Sequence, residues 1–427
     1  MSARFGSLAQ ALAFQQTVHG SSIELGLTRV RAVAERLGLC EPRCPSIIVG
    51  GTNGKGSTAT MLAALLQACG HRVGLFTSPH LLRYNERIRI DGVEAGDEQL
   101  LRVFERIEAV RGETTLTFFE YNTLAALAIF RSSEVTAMVL EVGLGGRLDA
   151  TNIIDADVAV LCSVGMDHRD WLGDTIELIG FEKAGIFRAY RPVVLGSADM
   201  PASVWQRLES LECPVQVAGR DFAVRLRAGE PVGRWDYSSG HCRLESLPPP
   251  ALAGAVQYAN AATAITALNL LPVEGACDAA RVGSALASVR VPGRFQIVPG
   301  RPEWILDVAH NEPAAAVLAA ALRDRPCPGR TLVVLGMLGD KDVAAVAHAL
   351  DGVVDHWLLA GLEAEPRGLS VAALQARLPV LRGTVEPSGD IPRTCARARE
   401  LAQKDDRVVV LGSFHAVGPA LAWLGLY

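Results

Sequence analysis

The stretch Gly51-Thr52-Asn53-Gly54-Lys55-Gly56-Ser57 limits what this chain can fold into more than any other. Before it, Ile47-Ile48-Val49 is an apolar run that predicts a buried parallel strand. After it, the residues from Thr58 to Leu66 predict a helix that closes at Gly70. Strand, glycine turn and helix aim several backbone N–H groups and a helix N-terminus at one point, and such a point binds phosphate. Glycine lets the backbone approach an anion and take positive φ without steric cost. Lys55 would reach the outer phosphates, and the Ser57 hydroxyl would ligate Mg²⁺. The strict P-loop pattern has Ser or Thr directly after its Lys, whereas here Gly56 intervenes. The bland alternative is a glycine turn between a core strand and a helix. It leaves a lysine beside three close glycines with no packing purpose.

A chain of 427 residues exceeds one ordinary core, so two domains are expected. With 49% hydrophobic and 20% charged residues the composition is that of a globular protein. No apolar run reaches the roughly 18 to 20 residues that span a bilayer. Met1-Ser2-Ala3-Arg4-Phe5 has no charged region leading into an apolar core, so no signal peptide is expected. The 9 cysteines are scattered without zinc-like spacing, Cys40 and Cys44 being nearest in sequence, which suits a reducing cytoplasm. A net charge of −5 argues against a general nucleic-acid binder. It does not exclude a polyanionic ligand at a local basic cluster.

In chain order, helices are predicted from Leu8 to Val18 and from Arg29 to Leu37, with a loop at 19–26 between them. A strand from Arg72 to Thr77 runs into Ser78-Pro79-His80-Leu81, and Arg87 to Gly92 reads as a hairpin. Helices from Asp97 to Arg111 and from Tyr121 to Phe130 precede a strand from Val135 to Val142. That strand leads through Glu141 into Gly143-Leu144-Gly145-Gly146-Arg147-Leu148-Asp149-Ala150. A strand from Val158 to Ser163 leads to Asp167-His168, and a helix from Ile176 to Gly185 carries Lys183. A further strand, Pro192 to Leu195, and a helix, Pro201 to Leu211, follow. Residues 220–247 alternate in short runs, as an antiparallel β insertion would. Helices from Val256 to Leu271 and from Ala279 to Ser288 come next. Val291-Pro292-Gly293-Arg294 marks the expected domain boundary. Beyond it α and β alternate afresh, with strands at Trp304–Val308, Thr331–Leu335, His356–Leu359 and Val408–Leu411. The fold class is therefore α/β. A P-loop-type nucleotide-binding domain with a mostly parallel sheet spans residues 1–291, and a smaller Rossmann-like α/β domain spans 292–427.

Ser57, Ser78, Glu141 and His168 all fall at strand ends, where open α/β sheets place ligands. Mg²⁺ prefers oxygen donors, so His168 points to a second metal or to tolerance of Mn²⁺; the plain alternative is a loop histidine. A carboxylate closing so apolar a strand, as Glu141 does, is costly unless paired or metal-bound. Composition alone reads Lys183 as a surface lysine.

These ordered segments resemble the folylpolyglutamate synthase/dihydrofolate synthase family of the Mur-ligase superfamily. The resemblance spans nearly the whole chain. It rests on Gly51 to Ser57, Thr77 to Leu81, Phe119-Glu120-Tyr121, Leu140 to Asn152, Asp167-His168 and Glu182 to Phe187. In the last third it rests on Pro292 to Phe295, Asp307 to Asn311 and Gly412 to His415. The intervening Gly56 is itself a family feature, while Phe181 stands where the family normally has Arg. The resemblance implies a cytoplasmic, monomeric, ATP-dependent amide ligase that joins L-glutamate to dihydropteroate and to folates through an acyl phosphate. Neither nucleic acid nor membrane is an expected partner.

Carried over, the resemblance implies that Thr52, Asn53, Gly54, Lys55, Gly56 and Ser57 hold ATP phosphates. Asn260 (with Asn269 nearby on its helix), Arg294 and Asp307 complete the nucleotide site. Ser57, Ser78, Glu141 and His168 hold Mg²⁺, as two ions, with K⁺ as a further cation. Ser22, Ile23, Glu24 and Leu25, Thr117, Phe118, Phe119 and Glu120, and Leu148, Asp149 and Ala150 form the pterin loops. Lys55, Lys183 and His168 are the catalytic candidates, Lys183 matching a lysine that this family carbamylates. His310 and His415 match family motifs without an assigned role. A cell-wall peptide ligase of the same superfamily would need a nucleotide-sugar pocket, and the pterin-loop matches argue against it. A small-molecule kinase or GTPase is disfavoured because the guanine-reading Asn-Lys-x-Asp signature is missing. A non-enzymatic nucleotide-binding module would leave Glu141, His168 and Lys183 without a task.

Overall fold

A computed structural model of the protein describes residues 4–21, 23–228 and 233–427. The chain forms two compact units. One holds the residues up to Ala251 together with Tyr258–Val289, and the other holds Leu252–Gln257 together with Arg290–Tyr427. The short segment 252–257 goes with the second unit because Ala253 packs against that unit's core.

The first unit is built on eight strands: β1 (Ser46–Gly50), β2 (Val73–Phe76), β3 (Ile88–Ile90), β4 (Val93–Glu94), β5 (Ala137–Glu141), β6 (Val158–Leu161), β7 (Val193–Leu195) and β8 (Val215–Val217). Their order is β4-β3-β2-β5-β1-β6-β7-β8. The run from β2 to β8 is parallel, and β3 and β4 add an antiparallel edge. Every residue of β1, β2, β5 and β6 is buried, as the apolar runs predict for parallel strands covered on both faces. In register, Val49 lies beside Glu141 of β5 and Gly50 beside Leu161 of β6. The C-terminal ends of β2, β5, β1 and β6 therefore open onto one edge of the sheet. That edge is where the polar segments predicted above emerge.

The insertion is a separate antiparallel sheet of β9 (Phe222–Leu226), β10 (Trp235–Ser239) and β11 (Arg243–Leu247). Trp235 and Tyr237 are fully buried and keep their polar atoms bonded. The Trp235 indole N–H donates to Pro248 O at 2.8 Å, and the Tyr237 hydroxyl meets Thr266 Oγ1 at 2.9 Å. Burying these rings with their polar ends satisfied is what fastens the insertion. Cys242 and Cys277 form a disulfide, their Cα atoms 5.7 Å apart, so two of the cysteines expected as scattered thiols are partners in space.

The second unit carries β12 (Gln296–Val298), β13 (Glu303–Leu306), β14 (Thr331–Leu335), β15 (His356–Leu359), β16 (Thr384–Pro387) and β17 (Arg407–Leu411), in the order β12-β13-β17-β14-β15-β16. All pairs are parallel except β12 on β13. Among the described residues, no helix is long and apolar enough to cross a membrane.

Candidate functional site

The glycine turn follows β1 directly and opens the helix Lys55–Ala68. Gly54 is the cap of that helix at φ 87°, a left-handed conformation that side chains rarely adopt. A Cβ there would stand 3.0 Å from Asn260 Oδ1. This close approach places Asn260 against the turn. Asn269, the neighbouring candidate, is turned toward Cys277 instead. The segment after β6 braces the turn from below. Thr52 N donates to Ser163 O at 2.9 Å and Asn53 N to Ser163 Oγ at 3.0 Å. The Thr52 hydroxyl accepts from Gly165 N at 2.9 Å and donates to Gly165 O at 3.1 Å. Ser163 and Gly165 thus brace the phosphate loop, although no sequence pattern singles them out. Thr52, expected on phosphate, has its hydroxyl committed to this brace.

Lys55 Nζ donates to Gly51 O at 2.9 Å and to Thr52 O at 3.1 Å, so the ammonium sits on its own loop. Lys183 Nζ donates to the same Gly51 carbonyl at 3.1 Å. Lys183 is 4% exposed, which corrects the surface-lysine reading from composition. It comes from the helix Ile176–Ala184, whose polar N-terminus is capped by Thr175. Burial, with the Lys55 charge beside it, brings its pKa down to about 7, against the pull of Asp167 and Asp149. Near neutral pH this amine is therefore available without its proton.

Glu141 ends β5 and is buried; its Oε2 accepts from Ser78 N at 3.0 Å. Ser57, in the first turn of the helix after the glycine loop, is buried too. His168 caps the short helix Arg169–Leu172 in a left-handed conformation at φ 52°, and its backbone N–H donates to Asp167 Oδ1 at 2.8 Å. Asp167 Oδ2 lies 3.9 Å from His168 Nε2. Among the described residues no three His, Cys, Asp or Glu side chains form a preassembled metal cluster. The candidate donors Ser57, Ser78, Glu141 and His168 are instead one carboxylate, one imidazole and two hydroxyls. Such a sparse, oxygen-rich set suits a cation that keeps waters and shares phosphate oxygens, as Mg²⁺ does.

The sequence reading missed Arg87, taken as part of a hairpin. It lies in the turn Tyr84–Arg87, is 7% exposed, donates from Nε to His80 Nδ1 at 2.7 Å and stacks over Phe118 at 5.5 Å. Burial lowers its pKa, while Tyr84, Glu86 and Glu141 favour its charge. Glu86 shapes the preceding loop by accepting from Leu81 N, Leu82 N and Arg83 N at 2.6 to 2.8 Å. The polar triplet Asn85-Glu86-Arg87 ahead of the strand Ile88–Ile90 was the available signal.

The three predicted pterin loops meet. Gly26 N donates to Leu148 O at 3.3 Å. Arg29, also missed, bridges Glu24 and Glu120, with Nη2 3.0 Å from Glu24 O and 3.3 Å from Glu120 Oε1. His19 Nε2 joins Glu24 Oε2 at 2.8 Å. Of the segment 22–25, Ser22 lies outside the described residues. Ile23 and Leu25 flank Glu24 at partly exposed positions. Thr117 and Glu120 form the capping box of the helix Phe118–Ser132, so their polar atoms serve that helix first. Phe119 lies against Gly143, where a Cβ would come within 2.5 Å of its ring.

Asp149 corrects its expected role. It is 2% exposed, and its carboxylate accepts from Gly143 N, Leu144 N and Thr151 N at 2.9 to 3.0 Å and from Thr151 Oγ1 at 2.6 Å. Burial raises its pKa against these bonds. Its oxygens are engaged in holding the loop around Leu148 and Ala150.

In the second unit, Asp307 follows β13. Its carboxylate accepts from Phe295 N and Ala309 N, both at 2.8 Å; desolvation raises its pKa although Arg294 opposes this. Arg294 stacks on Phe414 at 5.5 Å. Nearby, His310 Nδ1 meets Val308 O at 2.8 Å, Asn311 caps the helix Glu312–Asp324, and Ser413 caps Phe414–Trp423. His415 pairs with Glu365 at 3.1 Å.

Comparison with known proteins shows the family and the fold. Residues 49–268 match the Mur ligase middle domain, and residues 293–414 match the Mur ligase glutamate ligase domain. The chain is 42% identical over 410 residues to the dihydrofolate synthase/folylpolyglutamate synthase of Escherichia coli (strain K12), covering 96% of this chain and 94% of that one. It superposes on the structure of E. coli FolC in complex with DHPP and ADP with a TM-score of 0.91 and 40% identity, covering 98% of each chain. A structure of a bifunctional folylpolyglutamate synthase/dihydrofolate synthase with Mn, AMPPNP and L-glutamate bound gives a TM-score of 0.89 at 41% identity, covering 99% of this chain and 98% of that one.

Proposed function

The chain belongs to the Mur ligase family, among its dihydrofolate synthase/folylpolyglutamate synthase members, and on that premise we infer that it is an ATP-dependent ligase that joins L-glutamate to folate substrates. ATP and a divalent metal serve the reaction. The observation that carries the reading within this chain is that β2, β5, β1 and β6 deliver Ser78, Glu141, the phosphate loop and Asp167-His168 to one sheet edge.

A carboxylate is a poor electrophile, and transfer of the γ-phosphoryl group to it creates a leaving group. Two carboxylates qualify: that of 7,8-dihydropteroate, giving dihydrofolate, and that of a tetrahydrofolate's terminal glutamate. The carboxylate oxygen attacks phosphorus and ADP leaves. The glutamate amine then attacks the acyl carbon, loses a proton, and inorganic phosphate departs. Both steps need positioning and charge neutralisation more than covalent help. Lys55 supplies positive charge by turning from the Gly51 and Thr52 carbonyls to the β- and γ-phosphates. Asn53, Gly54, Gly56 and Ser57 supply loop groups around the phosphates, and Asn260 abuts the loop at Gly54; the family resemblance gives Arg294 and Asp307 a nucleotide role.

Ser57, Ser78, Glu141 and His168 would hold Mg²⁺, which when bound would offset charge on the transferring phosphoryl group. A carbamylated Lys183 would help to hold a second Mg²⁺. Its deprotonated amine can bond to CO₂ and release a proton, leaving a carbamate anion where a cation stood. K⁺ is part of the family expectation and takes no residue of its own here. The same reading makes the protein a cytoplasmic monomer that recognises the pterin through Glu24, Phe118, Phe119 and Leu148, with Arg29 joining the loops and Arg87 beside Phe118.

Release of ADP with ATP and Mg²⁺ tests this, with dihydropteroate and L-glutamate added singly and together. Amide product in proportion to ADP only when both are present is the expected result. A stable phosphorylated product formed without any amine would make the chain a kinase and overturn the reading.

A further inference from the structure

The ligase chemistry uses the C-terminal ends of the strands, yet the second unit has a cavity of about 410 Å³ at the opposite ends. Its walls come from residues at or just before strand starts: Thr331 of β14, Asp355 before β15, Arg382 before β16 and Arg407, the first residue of β17. The volume falls within the roughly 300–1,000 Å³ range of small-molecule sites.

Arg407 is the unusual wall. It is 6% exposed, and it makes no ion pair with a carboxylate among the described residues. Nε donates to Thr331 Oγ1 at 2.8 Å, and Nη1 donates to Leu322 O at 2.9 Å and Arg325 O at 2.7 Å. A guanidinium has five N–H donors, and these contacts use only those on Nε and Nη1. Nη2 meets no acceptor among the described residues. The two acids of the lining are committed elsewhere. Asp355 accepts from Thr331 N at 2.8 Å, and Asp351 accepts from Arg382 N at 2.8 Å with Arg382 Nε at 3.7 Å. Burial of a charge without a counter-ion is costly, by several kcal/mol per ion. Burial lowers the pKa of Arg407, against Glu303 and Asp355, which favour its charge without forming an ion pair with it.

We propose that this cavity binds a small oxyanion, a phosphate group or a carboxylate, on Nη2 of Arg407. The planar fork of arginine suits either anion, and the exposed Arg382, with Nε 3.7 Å from Asp351, stands at the same wall. The site lies at the N-terminal strand ends of this sheet, opposite the ends that lead to Asp307 and Ser413, so its occupant is distinct from the ligase substrates.

Cys327 lines the same cavity and gives a local reporter that an anion on the phosphate loop would not affect. The full chain is treated with iodoacetamide, and the alkylation rate of the Cys327 peptide is followed by mass spectrometry as inorganic phosphate or acetate is titrated. One or both anions slow Cys327 alkylation in the wild-type chain. Protection by phosphate alone identifies a phosphoryl ligand, and protection by acetate alone identifies a carboxylate. Arg407→Lys keeps the charge but loses the fork, and raises the half-protecting concentration about tenfold. Gly352→Glu tests the site without touching Arg407. A side chain there meets only the Arg323 guanidinium at 4.0 Å, and its carboxylate at the cavity wall abolishes protection. Failure of both anions to slow alkylation, or protection undiminished in Gly352→Glu, overturns the proposal. If Arg407→Lys does not fold, Gly352→Glu decides alone.

Discussion

The strand ends of the two parallel sheets are built on one plan and hold opposite kinds of polar groups. In the first unit, Lys55, Lys183, Glu141 and Arg87 are charged groups brought close together, and burial sets Lys183 at about 7. In the second unit, Asp307, Asn311 and Ser413 are already bound to backbone N–H groups of their own loops and helices. The first arrangement sets the Lys55 charge against Lys183, a repulsion that an anion between them would ease. The second is satisfied as it stands and gives the loops their shape. Chemistry is therefore expected to depend steeply on the first set, and stability on the second.

The largest effect belongs to Lys55→Ala. Removing the charge that faces the transferred phosphoryl group should lower kcat by ~10²–10³-fold, by analogy with loss of a preorganised electrostatic donor. The far-ultraviolet spectrum and melting temperature should be retained, because the loop that Lys55 Nζ bonds is also braced by Ser163 and Gly165. Activity surviving in this variant would erase the contrast between the two edges.

Lys183 comes next. Its pKa is lowered, so the neutral amine grows as pH rises through about 7, and the carbamate and the activity should rise with it. Lys183→Gln should lose roughly 10- to 100-fold in activity, the usual cost of removing a group that supports a metal. Rates measured from pH 6 to 8.5 in bicarbonate buffer, with native mass spectrometry for the CO₂ increment, check both. A flat profile with a bare amine would remove Lys183 from the chemistry.

The smallest effect belongs to Asn311→Ala in the second unit. The Asn311 side chain accepts from Ala314 N at 3.0 Å, so the variant should lose about 0.5–2 kcal/mol of stability, the worth of a helix cap. Urea unfolding would show that loss, while kcat stays near the wild-type value. A collapse of kcat without a change in stability would place Asn311 in the chemistry.

The sequence exposed the parts of this fold that burial makes repetitive. β1, β2, β5, β6, β14 and β17 are buried along their whole length, so each reads as an apolar run. β8, β12 and β16 escaped because they are short edge strands, mostly half-buried or exposed, and carry no such run. In the site, the glycine turn was legible because its spacing is local. The burial of Lys183 was not, since the carbonyl it contacts lies 132 residues away in sequence. Arg87 and Arg29 were hidden for a like reason, their partners being supplied by other loops. Asp149 shows the reverse error. Its position in a family segment suggested a ligand contact, whereas the local turn consumes its carboxylate.

The central claim is that the carboxylate is activated by phosphoryl transfer at the Gly51–Ser57 loop before the amine attacks. Dihydropteroate labelled with ¹⁸O in its carboxylate tests this most directly, by mass analysis of the inorganic phosphate released during turnover with ATP and L-glutamate. The account predicts that each phosphate carries an ¹⁸O from the substrate, and that Lys55→Ala stops its appearance. Phosphate released without the label, while amide still accumulates, would contradict it.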